Sequence, residues 1–157
     1  MTMRESPIER KGESMQAVEM DFIVEDSLAA LALYERIFDV KRIEATSFAK
    51  GQNEAVFEIY GTRFHMLDAN ADAGLAAPDP KENLPIWFNV TVEEIAEAYK
   101  LAMDAGCTEI QAVTEMKDYG VSNAMFKDPF GYIWMLHQVH REIGFEEREA
   151  MHRKNME

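Results

Sequence analysis

The sequence predicts an α+β fold built from two βαβββ modules, and three observations carry that prediction. A tight turn, Asp128-Pro-Phe-Gly131, runs straight into alternating apolar residues. One order of strands and helix occurs twice, at an offset of about 66 to 70 residues. A stretch rich in Ala, Asp, Gly and Pro separates the two occurrences. In the turn, Pro129 fixes φ and Gly131 accepts positive φ, so Val121–Phe126 pairs antiparallel with the strand that begins near Ile133. Across the repeat, Val24 answers Val90, Tyr34 roughly answers Leu101, Gly61 answers Gly131 and Phe64 stands opposite Trp134.

Residues 1–14 are polar, charged and without periodicity, which predicts a flexible leader, and Met15 is a candidate natural start. The first module is expected over 15–69. Its first strand is Gln16–Val24, with Val18, Met20, Phe22 and Val24 on one face and Glu19, Asp21 and Ile23 on the other. Asp26 or Ser27 caps a helix whose apolar positions Leu28, Leu31, Tyr34, Ile37 and Phe38 recur at helical spacing. Asp39–Glu44, Glu54–Tyr60 and Arg63–Asp68 follow as strands, the last two joined by a Gly61-Thr62 turn. Residues 70–84 form the linker, where Pro78 and Pro80 exclude a helix. The second module, 85–140, repeats the order with a strand Ile86–Val90, a helix Glu93–Ala105 ended by Gly106, a strand Thr108–Val113 and the final hairpin. The tail, 141–157, has helical character and mixed charge around Phe145.

A chain of 157 residues with 47% hydrophobic residues can bury one core. No apolar run approaches the roughly 20 residues that span a bilayer, and the charged start lacks the apolar centre of a signal peptide. The lone Cys107 admits no internal disulfide, which fits a reducing compartment, and cytoplasmic location is the expectation. A formal net charge of −13 argues against nucleic acid and anionic membranes, both of which need clustered Lys and Arg, and is compatible with a cationic small ligand. No phosphate-cradling glycine loop, serine nucleophile elbow or Cys-x-x-Cys pair occurs.

The run Asp128-Pro-Phe-Gly-Tyr-Ile-Trp134 resembles the turn signature of the glyoxalase/bleomycin-resistance proteins, the vicinal oxygen chelate superfamily, over roughly Gln16–His140. Phe in the turn and Trp in the strand are closest to its PhnB-like branch. The resemblance implies two curled half-sheets enclosing a cup that holds a small molecule, in a homodimer that pairs modules across subunits. Strand alternation points Phe22, Val24, Phe64, Met66, Phe88, Val90, Trp134 and Leu136 at the helices. The cup then receives Glu19, Asp21, Ile23, Arg63, His65, Leu67, Pro85, Trp87, Asn89, Ile133, Met135 and His137. Asp118-Tyr-Gly120 sits where related sequences carry an aromatic-glycine loop, which makes Tyr119 a candidate wall.

Enzymes of that family hold a divalent metal on His, Gln or Glu ligands. The matching positions here are Glu19, His65, Pro85 and Met135; Pro85 offers no donor, and the Met135 thioether is a poor ligand for a hard ion. No metal or other cofactor is therefore favoured, and Glu19, His65 and His137 are the set if one binds. The favoured reading is metal-independent binding of a small organic ligand by Glu19, Asp21, His65, Trp87, Asn89, Tyr119, Met135 and His137. The alternatives are a metal-dependent lyase, isomerase or dioxygenase acting on vicinal oxygens, and a non-catalytic interaction domain plugged by Trp87 and Met135. Each of these residues also has a plainer reading: rim carboxylates for Glu19 and Asp21, hydrogen-bonded imidazoles for His65 and His137, core for Trp134 and Cys107, and exposed tail positions for His140 and His152.

Overall fold

In the computed structural model, residues 18–157 are described together with the backbone of two short strands, β1 (Glu9–Arg10) and β2 (Glu13–Ser14), which pair antiparallel. The leader expected over 1–14 otherwise lies outside the described residues, as do Gln16 and Ala17 of the expected first strand. The chain then runs β3 (Met20–Val24), α1 (Ser27–Ile37), β4 (Val40–Ala45), β5 (Glu54–Ile59) and β6 (Thr62–Asp68). It continues through β7 (Phe88–Thr91), α2 (Ile95–Asp104), β8 (Thr108–Met116), β9 (Val121–Lys127), β10 (Ile133–Val139) and α3 (Phe145–Met156). Two compact units result: residues 1–35 with 39–77, and residues 36–38 with 78–157.

Each unit contains one four-stranded mixed sheet of the same order, β3-β6-β5-β4 in the first and β7-β10-β9-β8 in the second. The first and last strands of each set run parallel, β3 with β6 and β7 with β10, and the other neighbours run antiparallel. The two βαβββ modules read from the sequence are thus present as a duplicated α+β fold.

In the first unit, alternation buries Phe22, Val24, Phe64 and Met66 against α1, whose Leu31 and Tyr34 are fully buried. Asp26 caps that helix, its Oδ1 accepting from the Ala29 N–H at 3.0 Å. Buried Asp68 ties the unit together, because its carboxylate accepts from the backbone N–H of Ser27 at 2.7 Å, Gly51 at 2.8 Å and Asn53 at 3.0 Å. Burial alone would raise its pKa, but these donors outweigh burial and hold the carboxyl below its ordinary value of 3.8.

In the second unit, Phe88, Val90, Trp134 and Leu136 are buried, with the Phe88 and Trp134 ring centroids 4.7 Å apart. The signature turn is organised by Asp128, which is 2 % exposed. Its Oδ1 accepts from Phe130 N–H at 2.9 Å and Tyr132 N–H at 3.1 Å, while Oδ2 accepts from the Trp134 indole N–H at 2.9 Å. One aspartate therefore satisfies the turn and the largest buried side chain of the hairpin together.

Four local expectations are corrected. The first hairpin turns at Tyr60-Gly61 rather than Gly61-Thr62: both residues have positive φ, 48° and 84°, and Thr62 already pairs with Ile59. A two-residue loop of this kind matches the twist of the strands it joins. The fifth strand begins at Phe88, leaving Pro85, Ile86 and Trp87 ahead of the ladder. Val18 and Glu19 likewise precede β3. Ile133, assigned to the cup, is buried at 7 % exposure.

Candidate functional site

The first unit gathers acidic side chains around one imidazole. The parallel register of β3 and β6 sets Asp21 opposite His65, and antiparallel β5 brings Glu54 alongside. His65 Nδ1 lies 3.4 Å from Glu19 Oε1 and 3.4 Å from Asp21 Oδ2, and Nε2 lies 3.5 Å from Glu54 Oε2. Nε2 is buried and makes no hydrogen bond. Arg63 takes the other oxygen of Glu19, Nε to Oε2, at 3.0 Å.

The two neighbouring carboxylates are driven apart. Burial and the hydrogen bond with Glu19 hold Asp21 above its usual 3.8, partly offset by His65. Burial also works to raise Glu19, but the Arg63 hydrogen bond, Asp21 and His65 outweigh it and lower that group below its usual 4.5. Donor atoms of Glu19, Asp21 and His65 lie within 4.8 Å of one another. Two carboxylates and an imidazole form a donor set suited to a divalent ion such as Mn, Fe or Zn. The residues present therefore fit a metal, with Asp21 beside Glu19 and His65 in the donor set.

The second unit has a pocket. About 510 Å³ of space opens on the sheet face away from buried Ser122, Ala124 and Leu136. Its floor is Val121, Asn123, His137 and Val139, its walls Met116, Tyr119 and Ile143, and its charged groups Arg141, Glu142 and Arg148. The register of β9 and β10 places Asn123 opposite His137, and the two join Oδ1 to Nδ1 at 2.6 Å. Tyr119 Oη accepts from the Asn155 side-chain amide at 3.3 Å, which ties the far end of α3 to the pocket wall.

Of the residues expected to bind a ligand, Glu19, Asp21 and His65 meet in the first unit, while Tyr119 and His137 meet at the second-unit pocket. Asn89 and Trp87 are exposed, Trp87 at 55 %, and neither they nor Met135 lines that pocket. By register Asn89 faces Met135 as Asp21 faces His65, so Asn89 is the second-unit counterpart of Asp21. His140, expected as an exposed tail residue, is exposed and also pairs its Nε2 with the buried Ser122 hydroxyl at 2.8 Å.

Sequence reasoning missed Asn123, Arg141 and Arg148. The first was within reach, because a hairpin closed at Asp128-Tyr132 fixes every later pair, including Asn123 with His137. The arginines lie beyond the last strand, where no periodicity places them. Cys107 is no nucleophile: burial, then the charge of Asp128, push its thiol up to about 12.

Comparison with known proteins agrees with this fold. Residues 16–136 match the family model described as Glyoxalase/Bleomycin resistance protein/Dioxygenase superfamily. An uncharacterized protein of Mycobacterium bovis is 24% identical over 138 residues, covering 85% of this chain and 90% of that protein. Among solved structures, the fosfomycin resistance protein FosX of Listeria monocytogenes, complexed with Mn(II) and sulfate, is similar with a TM-score of 0.64 at 16% identity. That match covers 89% of this chain and 99% of FosX. A gene product of Arabidopsis thaliana matches with a TM-score of 0.63 at 18% identity, over 78% of this chain and 98% of that one. At such identities the structural likeness speaks to the fold. No helix among the described residues is long and apolar enough to cross a membrane.

Proposed function

The chain belongs to the Glyoxalase/Bleomycin resistance protein/Dioxygenase superfamily, and from that premise we propose that it binds a small organic molecule on the open face of its second sheet. The carrying observation is the pocket of about 510 Å³, which is within the size range of small-molecule sites and mixes apolar walls with few polar groups. Met116, Val121, Val139 and Ile143 offer apolar contact, and the paired His137 and Asn123 offer oriented hydrogen bonds. Titration of a fragment library into ¹⁵N-labelled protein tests this: shifts are expected to cluster on Tyr119, Asn123, His137 and Val139. Binding that perturbs only other regions, or no binding, overturns the proposal.

A second reading has its own observation. The convergence of Glu19, Asp21 and His65 favours a divalent ion in the first unit, where Nδ1 of His65 faces one carboxylate oxygen of Glu19 and one of Asp21, each at 3.4 Å. When bound, such an ion supplies Lewis-acid polarisation of a substrate oxygen. Titration calorimetry with Mn(II) is expected to give one equivalent per chain in the native protein and none in His65→Ala. Heat unchanged in that variant removes the reading.

The same reading takes the protein as a cytoplasmic homodimer of the PhnB-like type. Phe130 and Trp134 of the turn support the branch, the free Cys107 supports the compartment, and exposed Ile86 and Trp87 offer apolar surface for a second copy. A monomer mass by light scattering counts against the dimer.

A further inference from the structure

The charges lining the second-unit pocket run against the charge of the chain. In a protein of formal net charge −13, the pocket is lined by two arginines, Arg141 and Arg148, and one carboxylate, Glu142. Elsewhere Arg42, Arg63 and Arg153 each pair with a glutamate, but among the described residues neither pocket arginine has a carboxylate partner. Arg148 instead holds its guanidinium carbon 5.9 Å from the Phe145 ring centroid. Two unpaired guanidinium groups at one concavity leave most of their fixed hydrogen-bond donors free.

Arg141 is also held in place by a device the sequence reading met only as a loop. Gly120, at φ +66°, accepts from the backbone N–H of His140 at 2.7 Å and of Arg141 at 3.1 Å. A Cβ at Gly120 would lie 2.5 Å from Arg141 Cγ and 2.6 Å from Arg141 O, so only glycine lets the arginine stem cross there. One end of the guanidinium, Nη2, donates to the carbonyls of Asp118 at 3.2 Å and Lys117 at 3.4 Å. Those contacts orient the group while its remaining N–H donors stay uncommitted. Arg141 thus loses little side-chain freedom on meeting a ligand, which is what preorganisation contributes to affinity.

We infer that the pocket takes an organic anion: a carboxylate, sulfonate or phosphonate head held by Arg141 and Arg148, with an apolar body against Met116, Val121 and Val139. This rests on the small-molecule reading above and names its ligand class, the opposite of the cationic ligand that net charge alone suggested. Planar guanidinium groups match the geometry of such heads bidentately, and the cavity exceeds what an inorganic oxyanion fills. The acidic remainder of the surface would slow capture of anions in general. Affinity is therefore expected to depend on the apolar body as well as the head.

A matched pair of dyes tests the inference: 1-anilinonaphthalene-8-sulfonate and its uncharged parent N-phenyl-1-naphthylamine, titrated by fluorescence into the folded full chain. The sulfonate is expected to saturate at one site per chain and to bind at least about tenfold more tightly than the parent. Arg148→Gln, on the exposed surface of α3, should cost the sulfonate about tenfold and leave the parent within about twofold. Arg141→Gln and Gly120→Ala should act alike, with far-UV circular dichroism checking their folds. Equal binding of both dyes, untouched by the arginine variants, overturns the inference and leaves a pocket without charge preference. Equal loss of both dyes in the variants assigns the arginines a structural role and also overturns it. Failure of both dyes to bind saturably removes the small-molecule reading along with it.

Discussion

The two sheets repeat one strand order and one parallel register, yet their open faces carry different chemistry. In the first unit Asp21 lies opposite His65; in the second the equivalent pair is Asn89 and Met135. Beside His65 stand Glu19 and Glu54, whereas His137 in the second unit meets Asn123, and that sheet face opens into a pocket. Burial explains why one scaffold supports both. The side chains facing the helices must fill a core, so Phe22, Phe64 and Met66 in one sheet are apolar like Val90, Trp134 and Leu136 in the other. The outward side chains are under less of that demand, although Ile133 and Val56 are buried there too, and the two faces carry different groups.

The hidden faces differ too, and breaking them gives the largest expected effects. Trp134→Ala removes the largest buried side chain of the second unit and leaves Asp128 Oδ2 without its indole donor. It should cost about 3–5 kcal/mol by urea denaturation. Trp134→Phe keeps most of the volume and drops only the hydrogen bond, so it should cost about 1–3 kcal/mol. Equal losses from both would mean that the indole–aspartate bond, rather than packing, carries the site.

Asp68 and Asp128 play matching roles, each accepting two or more backbone N–H groups while buried. Asp68→Asn exchanges a charged acceptor for a neutral amide and should cost about 1.5–3 kcal/mol near neutrality. The sign with pH follows from the lowered pKa. Stability from the ionised Asp68 is present above its unfolded value near 3.8 and is lost as pH falls through the lower folded value. The native protein should therefore lose more stability than Asp68→Asn on acidification below about pH 4. Parallel acid limbs for the two proteins would refute that account.

The outward faces offer a sharper exchange. Asn89→Asp with Met135→His copies the Asp21–His65 pair into the second unit, and should raise Mn(II) affinity there by about tenfold or more if that pair is what binds the ion. The reciprocal Asp21→Asn with His65→Met should abolish binding in the first unit. A metal response that ignores both exchanges would place any ion elsewhere. The smallest effect concerns the two turns. Tyr60 has φ 48°, a conformation that the Asp128 turn reserves for Gly131. Tyr60→Asn should therefore stabilise the first unit by about 1 kcal/mol in thermal unfolding.

Much of this molecule was written in residue order alone. Period-two alternation marked Phe22, Val24, Phe64, Met66, Phe88, Val90, Trp134 and Leu136 as buried, because a strand has only two faces and one must be dry, though it missed Ile133. Asp26, Pro129, Gly106 and Gly131 marked where helices and turns begin and end, since each has a backbone preference that operates within a few residues. The duplicated order of elements followed from the same local signals. Tertiary structure decided what those signals cannot carry. It set Asp21, rather than Glu19, opposite His65, because a parallel register is chosen by packing across a helix. It brought Arg141 over Gly120 and Arg148 to the same pocket, because contacts between a tail and a distant loop leave no periodic mark. Net charge described the chain as a whole, while the sign of the pocket depends on which few charges the fold sets side by side.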